Sequence, residues 1–163
     1  MSDLVGSSVL IPFTNRAIYL GWFIIPFVII FYIAVVNSVN LIDGLDGLCA
    51  GVSGVVIFVF VVILYLTANI LDGVYLSEIN NLAIFSLGIV GALLGFIVYN
   101  WYPAKVFMGD TGSLALGGLI ASITIFSKNY FLWVIIFLSI FCVVSVLQTF
   151  ATTIFMSLLS RFL

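Results

Sequence analysis

Histidine is absent from this chain and charge is scarce: four basic and six acidic residues, 6% of 163, leave a formal net charge of −2. Without an imidazole, these residues supply no histidine base and no histidine-rich zinc site. The four cations, Arg16, Lys105, Lys128 and Arg161, are scattered, so no basic patch exists to grip nucleic acid or anionic lipid. Nucleic acid is excluded as a partner. Cysteine occurs twice, at Cys49 and Cys142, beside or within apolar sequence and outside any CxxC or Cys/His spacing, which reads as buried, inert thiol. Residues 1–10 lack the basic start and small-residue cleavage pattern of a secretory signal, so the first apolar segment is expected to be retained.

What the chain has in excess is apolar sequence. It is 65% hydrophobic with a mean hydropathy of +1.45, too little polar surface to cover a water-soluble globule. The expected class is an all-α integral membrane protein with about five transmembrane helices, at about 18–36, 48–71, 82–99, 112–127 and 130–159, in one membrane domain over 1–163. The last run exceeds one untilted span and must tilt, break or protrude. Ahead of the helices, residues 8–13 and 17–20 flank Thr14-Asn15-Arg16, a pattern suited to a short hairpin or an interfacial segment.

Three of the six acidic residues fall in two polar islands, 37–47 and 107–113. A carboxylate at the bilayer centre costs about 2.5–3.5 kcal/mol on insertion scales, so aspartates grouped at membrane helix ends call for a function. Two expected spans separate the islands, which places both on one side of the membrane. Thr14–Arg16, 72–81 and 128–129 then fall on the other side, and the even split of cations leaves the orientation open.

In the first island, Asn37, Asn40, Asp43 and Asp46 recur at spacing three, a polar stripe if the segment is helical, while Gly44 and Gly47 leave backbone open to a ligand. The alternative is that Asp43 and Asp46 cap the helix that starts near Leu48 and that the asparagines bond between helices. In the second, Gly109, Asp110, Thr111 and Ser113 open a helix. Thr111 and Ser113 are candidate N-caps, free amides would face a phosphate, and Asp110 is a candidate ligand for magnesium bridging that phosphate. Lys105 suits a phosphate as a point charge; Phe107 suits either base stacking or interfacial anchoring.

Residues 37–47, Asn-Ser-Val-Asn-Leu-Ile-Asp-Gly-Leu-Asp-Gly, and 103–118, Pro-Ala-Lys-Val-Phe-Met-Gly-Asp-Thr-Gly-Ser-Leu-Ala-Leu-Gly-Gly, resemble the polyprenyl-phosphate N-acetylhexosamine-1-phosphate transferase superfamily. The second run is most similar to its bacterial phospho-N-acetylmuramoyl-pentapeptide-transferase branch, and the resemblance covers about 20–148. It implies the middle-to-late helices of a ten-helix enzyme of the bacterial inner membrane, with cytoplasmic active-site loops and residues 1–17 leading in from the non-cytoplasmic side. The implied reaction moves phospho-MurNAc-pentapeptide from UDP to undecaprenyl phosphate with magnesium, giving lipid I and UMP, and membrane lipid and a homodimer are among the implied partners.

By motif position, the resemblance makes Asp110 the magnesium ligand, Asp43 an essential carboxylate, Asp46 and Asn40 residues of the uridine side, Phe107 the aromatic lining and Asn37 polar lining. There are departures. The family's Asp-Asp loop and histidine-rich segment have no counterpart in these residues, Ile42 stands where threonine usually precedes Asp43, and 141–148 lacks an expected acidic residue. The expectation is a truncated, central portion of such an enzyme, inactive or nearly so alone. Its competitors are a non-catalytic protein of the same fold that binds nucleotide or polyprenyl phosphate, and a related transferase that uses UDP-GlcNAc.

Overall fold

The computed structural model describes residues 8–10, 17–19, 21–68, 74–127, 154 and 157. Within them, β1 (Ser8–Leu10) and β2 (Ala17–Tyr19) pair antiparallel with Val9 opposite Ile18, the hairpin option for this segment. A 3₁₀ turn at Gly21–Phe23 leads into α1 (Ile24–Ile42), followed by α2 (Leu48–Ala68), α3 (Val74–Asn100) and α4 (Gly109–Phe126). All four helices are long and apolar enough to cross a membrane. Helices are the form such sequence must take in lipid, where every backbone N–H and C=O needs an internal partner. The class is all-α membrane protein, with one small strand pair.

The helix ends differ from the expected ones for local reasons. The first helix was expected at 18–36, but residues 18 and 19 are committed to β2, and the helix runs on to Ile42. Its polar end stays helical because Asn37 and Ser38 turn back onto their own backbone: Asn37 Nδ2 donates to the Ile33 carbonyl and Ser38 Oγ to the Ala34 carbonyl, both at 2.7 Å. The third helix starts at Val74 rather than 82, so Ser77, Glu78, Asn80 and Asn81 are helical rather than a turn. Its 27 residues span about 40 Å, more than the roughly 30 Å hydrocarbon layer, which leaves room for the polar residues of 77–81 outside it. The second helix is described through Ala68, and residues 69–73 lie outside the described part. Of the expected helix 130–159 only Ile154 and Ser157 are described, both helical; the 14–16 and 128–129 turns, Cys142 and 141–148 lie outside.

The helices pack in two pairs, α2 with α3 and α1 with α4, with narrower contact between α1 and α2 and between α2 and α4. Phe31, Val35 and Val39 of α1, Ile57, Phe60 and Leu64 of α2, Leu93 of α3 and Ile120 and Ile123 of α4 form one buried cluster. Small residues set the α1–α4 distance. A Cβ on Gly117 would stand 2.7 Å from Val36 Cα and 3.1 Å from its carbonyl oxygen, and one on Gly118 would stand 2.9 Å from the Tyr32 hydroxyl, which donates to the Gly118 carbonyl at 3.2 Å. Close backbone approach through small residues is how membrane helices gain packing when lipid is as apolar as the partner helix.

Candidate active site

The C-terminal ends of α1 and α3 and the N-terminal ends of α2 and α4 share one end of the bundle, as hydrogen bonds between them show. Asn40, in the last turn of α1, crosses to α4, where its Nδ2 donates to Asp110 Oδ1 at 3.2 Å and to Ser113 Oγ at 2.9 Å. The two islands therefore meet through one side chain, between residues 70 apart in sequence. Ser113, fully buried, holds its end of this bridge by donating to the Gly109 and Asp110 carbonyls at 3.1 and 3.3 Å.

The stripe at spacing three does not continue past Asn40. The helix ends at Ile42; Asp43 is its C-cap residue at φ −76°, ψ 33°, with its N–H donating to the Asn40 carbonyl, and residues 43–47 turn. The glycines at 44 and 47 and the need to reverse direction into α2 outweigh helix continuation, and Gly47 takes φ +74° to do so. Asp43 is half-buried at this corner. Asp46 faces the second loop, its Oδ2 accepting from the Ala104 N–H at 3.0 Å. Neither aspartate is seen capping α2, whose Leu48 and Gly51 amides donate to the Leu45 and Gly47 carbonyls. Asn37, spent on Ile33, is exposed and is not brought to the acidic pair by any described contact.

Residues 101–108 fold back over the end of α3, with the Lys105 and Val106 amides donating to the Tyr99 carbonyl at 2.9 and 3.3 Å. This presents Lys105 and Phe107 outward, Phe107 at 72% exposure. Met108 turns inward: the Cys49 thiol donates to its sulfur at 3.9 Å and to the Val39 carbonyl at 3.6 Å, and a Cβ on Gly112 would collide with the Met108 side chain. Gly109, at φ +66°, then starts α4 three residues before the expected position. Thr111 and Ser113 are consequently inside the helix and are not N-caps. The N-cap position is Met108, which makes no side-chain cap, and Asp110 lies in the first turn, where the helix dipole favours negative charge.

Electrostatically the corner is strained. Burial first, and the charge of Asp110 second, push the Asp43 carboxyl above its ordinary value. Two carboxylates this close beside a helix N-terminus suit a divalent cation. Among the described residues no three His, Cys, Asp or Glu side chains converge into a ready metal cage. Magnesium fits such a sparse donor set, since it keeps waters and is held by one or two carboxylates together with substrate phosphates.

One residue of this corner escaped the sequence reading. Asn100, the last residue of α3 and only 5% exposed, accepts from the Gly47 N–H at 3.0 Å and donates to the Val106 carbonyl at 2.8 Å. A lone amide closing an apolar helix was the available signal. Ile42, in the position where threonine was expected, is buried in the core cluster with Val39 and Cys49, so its side chain packs rather than lining the polar corner.

Comparison with known proteins places this geometry. The family model for glycosyl transferase family 4 matches residues 1–128. The chain is 46% identical over 124 residues to the phospho-N-acetylmuramoyl-pentapeptide-transferase of Clostridium novyi, covering 76% of this chain and 35% of that protein. It is 48% identical over 132 residues to the protein of the same name from Halalkalibacterium halodurans, covering 81% and 38%. With that of Thermoanaerobacter pseudethanolicus it shares 48% over 126 residues, covering 77% and 37%. The chain thus spans little more than a third of the length of the curated relatives it matches. With the family model covering most of its length and both acidic loops inside the match, the chain belongs to glycosyl transferase family 4.

Proposed function

We propose that the protein carrying this chain transfers phospho-MurNAc-pentapeptide from its UDP carrier to undecaprenyl phosphate, giving lipid I and UMP, in a bacterial inner membrane with these loops cytoplasmic. The carrying observation is the Asn40 bridge: it joins both acidic loops, with Asp43 and Asp110 near enough for one charge to raise the other's pKa. The name shared by the relatives supports phospho-MurNAc-pentapeptide as the transferred group, and the motif resemblance supports the carrier, acceptor and UMP. An oxygen of the lipid phosphate bonds to the sugar-bearing phosphorus, the bond from that phosphorus to the bridging oxygen breaks, and UMP leaves with the electron pair.

Both reactants are anions, so the site's work is to neutralise charge and hold them in line. Magnesium held by Asp110 supplies the positive charge this requires. Asp43, half-buried at the same corner as Asp110, suits taking a proton from the lipid phosphate. The first-turn amides of α4, which have no side-chain cap, suit a phosphate, with Lys105 as a further point charge. Phe107 offers an exposed ring to uracil, and Asp46, which meets the same loop at Ala104, is assigned with Asn37 to the donor side by motif resemblance. Asn40 and Ser113 hold Asp110 in place.

The test is UMP release by the whole protein, given undecaprenyl phosphate, magnesium and either UDP-MurNAc-pentapeptide or UDP-GlcNAc. Release with the peptide-bearing donor is expected. Release with UDP-GlcNAc alone would assign a different transferase, and nucleotide binding without release from either donor would make the protein non-catalytic. The 163 residues by themselves are expected to release no appreciable UMP.

A further inference from the structure

We infer that Asn100 is a positioning residue, fixing the first acidic loop against the loop that carries Phe107 and Asp110. Its two amide atoms act on different loops. Oδ1 takes the N–H of Gly47, 53 residues earlier, and Nδ2 gives to the Val106 carbonyl, one residue before Phe107. The side chain is rigidly seated: Asn100 is 5% exposed and closes α3, whose helical bonding continues through the Trp101 N–H to the Ile97 carbonyl. Gly47 presents its N–H from a left-handed conformation, and a Cβ there would contact the Asn100 carbonyl at 3.7 Å, so the two backbones lie close.

One other bond described between these loops is Asp46 to Ala104. A half-buried carboxylate exchanges partners with water or substrate more readily than a buried amide does. If Asp46 lets Ala104 go to meet the donor, Asn100 is what keeps the loops in register. Removing it leaves the Gly47 N–H and the Val106 carbonyl without this partner and frees residues 101–107 to shift, and a displacement of about 1 Å at a reacting group can cost on the order of 10²-fold in rate.

On the reading of the two loops as one site, the test uses the whole protein in detergent, with spin labels at exposed Leu45 and Tyr102 reporting loop separation. Kinetics are expressed per folded enzyme. Asn100→Ala is expected to broaden the label distance, lower kcat by about 10²-fold and raise the magnesium concentration for half-maximal rate, with donor KM changed less. Asn100→Gln keeps both polar groups one methylene too far out and should show the same changes in milder form, which secures the test if the alanine variant does not fold. An unchanged distance distribution overturns the inference. So does a broadened distribution with lower thermal stability but unchanged kcat and magnesium profile, which is the signature of a merely structural asparagine. Asp110→Asn, run alongside, separates the two levels: full turnover in that variant refutes the shared site, while the label distances still decide what Asn100 holds.

Discussion

A carboxylate that is half-buried beside a second carboxylate has a protonation state that reports its surroundings, and Asp43 is such a group. Its folded-state pKa lies above the unfolded value of about 3.9, so its protonated form favours folding. That contribution is complete below the unfolded pKa and is lost as pH rises through the raised folded value. In EDTA, the thermal stability of the wild type relative to Asp43→Asn should therefore fall as pH rises across this window. Magnesium should flatten the difference, because it favours both ionised forms. A pH-independent difference in EDTA would mean that neither burial nor the charge of Asp110 raises Asp43. Phe107→Ala should weaken donor binding, read as a raised KM, with magnesium dependence intact; a shifted magnesium profile with unchanged KM would remove the ring from the uridine side. At this scale the acidic residues and Asn40 were legible because charge and amide are conspicuous in apolar sequence. Asn100 and the buried role of Ser113 were not, since a hydrogen bond across 53 or 73 residues leaves no local pattern.

Between elements, the Asn40 bridge depends on how closely α1 and α4 approach, and Gly117 sets that approach against Val36. Gly117→Ala places a Cβ under 3.0 Å from backbone, so the helices must separate. The expected cost is about 1–3 kcal/mol of stability, as for other overpacked sites, and a larger loss of activity as Asn40 withdraws from Asp110. Gly91→Ala on α3, which meets nothing within 4 Å, should be neutral or slightly stabilising in the same thermal scan. Equal effects for the two would show that α1 and α4 are not in backbone contact. Helix existence was plain from the apolar runs, but helix ends were displaced. Asn37 and Ser38 satisfy themselves within α1, and the polar stretch 77–81 of α3 is tolerated beyond the lipid, so polarity alone marked the wrong boundaries. Which helices pair was illegible, because helices apolar on every side carry no face that names a partner.

For the whole molecule, composition specified the membrane class, and counting two spans between the islands placed both at one end, which the Asn40–Asp110 and Asp46–Ala104 bonds agree with. Cysteines at exposed Leu45 and Tyr102 should react with an impermeant reagent from the same face, and one at Glu78 from the opposite face. Labelling of positions 45 and 102 from opposite faces would break the shared site. Two acidic loops forming a single magnesium-dependent phosphoryl-transfer site is the central claim, and UMP release by the whole protein as a function of magnesium, wild type against Asp110→Asn, tests it most directly. The account predicts a loss of about 10²–10³-fold or more with thermal stability preserved. A variant that keeps most of its rate with an unchanged magnesium profile, or one that loses activity only by unfolding, would contradict it.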